Sequence, residues 1–413
     1  MALKSELKPE CFQVVEGRGV TFPKGFKAGS VWAGLKSKTE DLELIVSDRP
    51  ASAAGVFTTN LLQASCVSYS RKVISNGVAQ AIFCNAGNAN ACNGEQGDKD
   101  NLHCAQLSAA ALGLGTEQVL VASTGVIGRL MPMEKIEASV PRVAESLDSS
   151  AETDARASKA ILTTDTRSKM IAVEVTAPGW ASPIRIGGIT KGSGMIAPNM
   201  ATTLGFITTD AKIEPQLLQL ALWEAIEKTY NRITVDGDTS TNDMVLVLAN
   251  GASDNVVTSG EGYDEFYAGL EHVLLYLAKE IARDGEGATK LVSVTVKGAE
   301  SEQGAQRIAK TIAESPLVKT ALFGSDPNWG RIMAAAGRAG VPFNPGESSV
   351  WLGEHQVFAN GKGTKFDNDG AHTYLKSNEI ALLVTVGKGT GECTYWTCDY
   401  SYDYIKINAE YHT

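Results

Sequence analysis

The chain has 413 residues, 43% of them hydrophobic and 20% charged, with a formal net charge of −10. That length can bury a substantial core and suggests two or three domains. Acidity without any basic stripe excludes a phosphate-tracking nucleic-acid binder, and no apolar run reaches the ~18 residues of a membrane span.

Short apolar runs bounded by Gly, Asn and Asp predict strands at Leu42–Val46, Ala81–Cys84, Val119–Ser123 and Ile171–Val175. A helix is expected over Asn101–Leu112. Another is expected over Lys212–Asn231, with Pro215 near its start and Leu218, Leu222 and Ile226 on one face. Asp264–Asp284 places Phe266, Leu270, Val273, Leu274, Leu277 and Ile281 at helical spacing, with Gly285 as a stop signal. A strand at Leu291–Val296, a helix near Glu302–Glu314 and strands at Glu379–Val386 and Tyr402–Ile407 follow. Gly346–Gly370, rich in Gly, Ser and Asn, reads as a surface excursion. Strands and helices mix without a steady βαβ rhythm, so the fold class is α+β.

The odd set of seven Cys, with no C-x-x-C pair, suits free thiols in a reducing compartment. The opening Met1-Ala-Leu-Lys-Ser-Glu6 has neither an apolar signal core nor an Arg/Ser-rich stretch, so a cytoplasmic enzyme is expected. Cys393, Cys398 and His412 lack a second ligand pair, and no metal site is expected.

The most informative segment is Lys191-Gly-Ser-Gly-Met-Ile-Ala-Pro-Asn-Met-Ala201-Thr202-Thr203-Leu204. A Gly-rich loop kinked at Pro198 runs into a small residue, a hydroxyl and an apolar strand. Attack by the Thr202 hydroxyl on the Ala201 carbonyl would shift the acyl group from nitrogen to oxygen, and water resolving that ester would open the chain between them. The new α-amine, with a pKa of about 7.7–8.0, would then be a base beside its own hydroxyl. Taken alone, the motif also fits a Thr pair at the start of a strand. Gly192-Ser-Gly-Met-Ile-Ala197 matches a dinucleotide fingerprint, but Pro198 stands where the phosphate-binding helix would begin. Asp236 and Asp238 read as a turn stabilised by side-chain-to-backbone bonds rather than a cation site.

Other groups suit acyl transfer. Thr124 and Gly125 follow the expected strand Val119–Ser123 and can offer a hydroxyl and an unshielded N–H to an oxyanion, although alone they also read as a strand-to-turn glycine. Lys191 can pair with a carboxylate or lower a nearby hydroxyl's pKa. Glu286 between Gly285 and Gly287 can approach a ligand closely.

Seven further segments make a pattern with the Met200-Ala201-Thr202 motif: Asn85-Ala-Gly-Asn-Ala-Asn-Ala-Cys92, Ser123-Thr-Gly-Val-Ile-Gly128, Thr163-Thr-Asp-Thr166, Val235-Asp-Gly-Asp-Thr-Ser-Thr-Asn-Asp243, Gly285-Glu-Gly-Ala-Thr-Lys290, Asp326-Pro-Asn-Trp-Gly-Arg331 and Ile407-Asn-Ala-Glu-Tyr-His-Thr413. In this order, across nearly the whole chain, they resemble the bifunctional ornithine acetyltransferase/glutamate N-acetyltransferase family of arginine biosynthesis. The resemblance implies an αββα layered sandwich similar to N-terminal-nucleophile proteins, with a smaller α/β domain. It implies cleavage between Ala201 and Thr202 into chains 1–201 and 202–413, associated as a heterotetramer of two of each. It makes Thr202 the nucleophile and Thr124 and Gly125 the oxyanion hole. Thr164 (or its neighbour Thr163), Lys191, Thr202, Glu286, Asn408 and Thr413 become substrate contacts.

The implied reaction moves acetyl from N-acetylornithine to glutamate through an acetyl-Thr202 intermediate. It needs no cofactor, and acetyl-CoA stays open as a second donor. Two rivals remain at this point: an N-terminal-nucleophile amidase or aminopeptidase, in which water takes the acyl group, and a non-catalytic amino-acid-binding protein.

Overall fold

A computed structural model describes residues 11–197 and 203–410. Its first part runs β1 (Phe12–Val14), β2 (Phe26–Val31), β3 (Leu42–Phe57), α1 (Ser65–Ile74), β4 (Val78–Asn88), α2 (Gly94–Leu112), β5 (Val119–Val126), α3 (Met133–Glu145), α4 (Ala151–Ala160), β6 (Lys169–Val175) and β7 (Ile184–Lys191). It continues through β8 (Leu204–Thr209), β9 (Lys212–Ile213), α5 (Pro215–Lys228), β10 (Met244–Ala249), β11 (Val256–Val257) and α6 (Tyr263–Arg283). The main sheet has the order β1-β6-β7-β8-β10-β3-β4-β5, with β2 added against β3.

Strand β3 serves both halves of this sheet. Its first half pairs with β2 and β4, its register shifts between Val46 and Ala51, and Ser52–Phe57 then pair with β10. Side chains on β10 alternate between two cores, as a period of two requires. Met244, Leu246 and Leu248 join the core of β2–β5 and α1–α4, while Val245, Val247 and Ala249 join the core under α5 and α6. An unbroken apolar strand is what two covered faces demand. The result is a layered sandwich, as the resemblance implies, of the α+β class expected from the mixed pattern of strands and helices.

The C-terminal part has its own sheet and core. β12 (Leu291–Ala299), β13 (Ser349–Leu352), β14 (His355–Ala359), β15 (Lys362–Gly363), β16 (Glu379–Thr385) and β17 (Gly391–Cys398) form the order β15-β14-β13-β16-β12-β17. Helices α7 (Glu302–Ala313), α8 (Pro316–Phe323), α9 (Trp329–Gly337) and α10 (Asn368–Tyr374) accompany them, and α11 (Tyr402–Glu410) ends the described chain. Ile308, Ile312, Val350, Val357 and Leu382 are buried together in this core. Among the described residues no helix is long and apolar enough to cross a membrane.

Three expectations need correction. The helix expected from Lys212 begins at Pro215, because the proline ring holds Glu214 extended (ψ 143°) and Lys212–Ile213 pair as a strand instead. The Gly346–Gly370 excursion contains β13–β15, whose Val350, Val357 and Phe358 are buried. Tyr402–Ile407 is helical. The alternation Tyr400, Tyr402, Tyr404 also places Tyr400 and Tyr404 four apart, where their rings stack 4.7 Å centre to centre. No residue of α11 is buried, so no sheet face imposed a period of two.

Candidate active site

Strands β4 and β5 run parallel and bring Gly87 beside Gly125. Gly125 has φ of +129°, and a Cβ there would lie 2.3 Å from the Gly87 carbonyl carbon. Only glycine fits, so near the end of β5 the Thr124 hydroxyl is followed by unshielded backbone. Across from it, at the end of β7, Lys191 Nζ donates to Thr124 Oγ1 at 3.3 Å.

A third wall comes from the turn after α6. A Cβ on Gly194 would lie 2.4 Å from the Glu286 carboxyl carbon, so that glycine is what lets the carboxylate approach. Gly287 (φ +69°) allows the same closeness to α11, where a Cβ would meet the Tyr404 backbone nitrogen at 2.5 Å. From α11, Asn408 Nδ2 donates to Glu286 Oε2 at 2.8 Å.

These residues meet in one cavity of about 110 Å³. Thr124, Gly125, Thr164, Lys191, Glu286 and Asn408 all line it, although they span nearly three hundred positions of sequence. Thr163 lines it too, beside Thr164. The predicted cleavage pair Ala201–Thr202, which includes the expected nucleophile, and the predicted contact Thr413 lie outside the described residues. A larger open groove of about 780 Å³ between α1 and α5 contains none of these groups. Convergence of polar groups, not size, marks the site.

Beneath the cavity lies a buried charge network that the sequence reading missed. Lys169 Nζ donates to Asp165 at 2.8 Å and to Asp284 at 2.6 Å, with all three side chains almost fully buried. Asp165 also accepts the Gly192 N–H (2.7 Å) and the Thr163 N–H (3.1 Å). The Asp284 carbonyl accepts the Ser193 hydroxyl, and the Ser193 carbonyl accepts the Glu286 N–H. One ion cluster thus ties together the backbones that carry Thr164, Lys191 and Glu286. Burial pushes the Asp165 carboxyl up, but the Lys191 and Lys169 ammonium groups and the Gly192 N–H win and hold it at about 2. The only sequence sign was an Asp and a Lys four apart in Thr163–Lys169.

Asn242 was missed as well. Its amide donates to the Ala89 carbonyl (2.6 Å) and the Ser123 carbonyl (2.8 Å), bracing the strand end that presents Thr124. Cys66 and Cys104 are poor nucleophiles, because burial raises Cys66 to about 11 and Cys104 to about 12.

A family model described as the ArgJ family matches residues 27–413. The chain belongs to the ArgJ family. It is 49% identical to the "Arginine biosynthesis bifunctional protein ArgJ" of a Synechococcus strain, covering 97% of this chain and 99% of that one. The chloroplastic ArgJ of Ricinus communis is 46% identical, over 96% of this chain and 86% of its own. A solved ArgJ chain from Bacillus halodurans is 45% identical, with a TM-score of 0.49 over 50% of this chain and 98% of that chain. The ArgJ match takes in every segment that lines the cavity.

Proposed function

We propose that the chain opens between Ala201 and Thr202 and then transfers acetyl from N-acetylornithine to glutamate. One observation carries this reading. The predicted oxyanion pair, the predicted cation and the predicted carboxylate share one cavity, whose wall includes Gly194 and Met195 just upstream of the bond to be opened. Relatives described as bifunctional proteins of arginine biosynthesis support it.

In the proposed cycle the Thr202 amine takes the hydroxyl proton as the oxygen bonds to the acetyl carbon. Negative charge then gathers on the acetyl oxygen, where the Thr124 hydroxyl and the Gly125 N–H stabilise it. The C–N bond breaks, and the proton held by the amine passes to the leaving ornithine nitrogen. Glutamate's amine next attacks the ester, Thr202 oxygen leaves and regains a proton, and N-acetylglutamate departs. Lys191 suits the α-carboxylate that both substrates share. Glu286, oriented by Asn408, suits the δ-ammonium of ornithine. Thr164, Asn408 and Thr413 complete the substrate contacts.

The cycle uses only the chain's own groups and its substrates, with no metal or organic cofactor. Chains 1–201 and 202–413 stay associated, as a heterotetramer of two of each in the cytoplasm. The relatives' description as bifunctional supports a second donor, for which acetyl-CoA is the candidate.

The test is direct. On a denaturing gel the active protein should run as two bands, the second beginning at Thr202. Incubation with N-acetylornithine and labelled glutamate should yield N-acetylglutamate without CoA, and a parallel arm with acetyl-CoA reads the second donor. A lone full-length band in active material, or free acetate in place of N-acetylglutamate, would overturn the proposal; the latter result describes an amidase.

A further inference from the structure

The segment leading to the proposed cleavage point is clamped by one carboxylate. Asp236 Oδ2 accepts the Met195 N–H at 2.6 Å, and Oδ1 accepts the Ile196 N–H at 2.8 Å. The Asp238 N–H also donates to Oδ1, at 3.2 Å. The Asp236 side chain therefore makes the short-range turn expected from the sequence and also reaches across to the loop after β7, forty positions earlier.

The clamp coincides with an unusual backbone. Met195 has φ of +56°, the left-handed region that a side chain with a Cβ disfavours. A left-handed residue beside ordinary ones turns successive N–H groups toward one point, forming a concavity that suits an anion. Here the anion is Asp236. Remove its charge and the two N–H groups lose their common acceptor, so Met195 has less reason to stay left-handed.

The residues after Met195 are fixed to the same stretch of chain. The Ile196 carbonyl accepts the Val235 N–H (2.7 Å) and the Thr234 hydroxyl (3.1 Å). The Ala197 carbonyl accepts the Thr239 hydroxyl at 3.0 Å. On the downstream side the Thr203 carbonyl accepts the Met244 N–H at 2.8 Å. Both flanks of the proposed cut are therefore anchored to residues 234–244, and Asp236 holds the one turn that directs the upstream flank.

We infer that Asp236 is a positioning residue for the opening of the backbone: by holding Met195 left-handed it aims the upstream flank toward the bond to be cut. It does not line the cavity. This role rests on the two-chain reading proposed for the enzyme.

The experiment tracks cleavage of the full chain on denaturing gels after synthesis. Asp236→Asn should slow conversion to two bands by about tenfold or more, since each tenfold needs only 1.36 kcal/mol of barrier. The uncut variant Thr202→Ala, with and without Asp236→Asn, should melt within a few degrees of each other, which shows that the fold survives. The decisive variant is Asp236→Asn with Met195→Gly. Glycine adopts a left-handed φ unaided, so it should recover most of the lost rate.

Cleavage of Asp236→Asn at the wild-type rate would overturn the inference. So would a slow variant that Met195→Gly fails to rescue. A wild-type chain that never divides would overturn the two-chain reading itself, a result visible without any variant.

Discussion

Lys191 donates to the oxygen of Thr124. An ammonium has donors and no acceptor, so it occupies a lone pair of that hydroxyl and leaves the hydroxyl hydrogen to point elsewhere. A threonine polarised in this way is a better donor to a developing oxyanion. Lys191 therefore holds Thr124 ready, beside the proposed task of offering charge to a substrate carboxylate.

Replacing Thr124 by Val keeps its shape and removes the donor. The kcat for acetyl transfer should fall about 10²–10³-fold, equivalent to about 3–4 kcal/mol, while KM changes little. Combining this with Lys191→Met should give less than the sum of the two effects, because the pair shares one contact. Steady-state kinetics of the two single variants and the double variant would show it, and full additivity would contradict the coupling.

Glu286 should discriminate between substrates by charge. Glu286→Gln keeps the side chain's size and removes the anion that suits a δ-ammonium. KM for N-acetylornithine should rise by about tenfold or more, the scale of a lost charge-assisted hydrogen bond, while KM for glutamate, which has no such cation, moves less. Asn408→Ala should follow the same direction more weakly, since Asn408 donates to the Glu286 carboxylate. Equal effects on both substrates would remove the charge argument.

The site was legible where local composition betrays geometry. Gly285 and Gly287 flank Glu286 because neighbouring elements come within a methyl group's reach, and Gly125 lies near the end of β5 for the same reason. Thr164 and Asn408 were found only through family resemblance, since isolated polar residues carry no period or spacing of their own. Asp284 could not be found: a helix-terminal Asp looks the same whether it faces water or a buried Lys 115 positions away. The tail shows a further limit. Tyr400, Tyr402 and Tyr404 satisfy both a period of two and an i, i+4 pair, and with no buried face the pattern could not choose. Chain tracing needed the core, whereas chemistry needed the glycines.

The Lys169 cluster makes a stability prediction. Lys169→Met removes the buried cation that Asp165 and Asp284 share, leaving them the Lys191 ammonium and the Arg167 guanidinium 3.8 Å from Asp284, which should cost about 3–5 kcal/mol by urea unfolding. The wild type also has an acid limb. Asp165 is held near 2 in the folded chain, below its unfolded value of ~3.9, so its contribution is present above ~3.9 and is lost as pH falls toward 2. Asp165→Asn should flatten the stability profile in that window, and an unchanged slope would show that other carboxylates control it.

Glu43 points the opposite way. It is buried in β3 opposite Ser30 and Cys84, and neither of its carboxyl oxygens has a hydrogen-bond partner among the described residues. Ser30 is unavailable because its hydroxyl already donates to Glu40 at 2.6 Å. Burial first, and then the Glu40 charge, push the Glu43 carboxyl well above the ordinary carboxylate range, with Lys36 opposing them. A raised folded pKa means that wild-type stability is fullest below the unfolded value of ~4.3 and declines as pH rises from there. Glu43→Leu removes both the unpaired group and this decline. It should stabilise the chain by about 1–3 kcal/mol near neutral pH, with a smaller gain at pH 4. Urea unfolding at pH 4, 6 and 8 would test it: a gain that grows with pH supports the assignment. A loss at every pH would mean that the glutamate's packing outweighs the cost of its isolation.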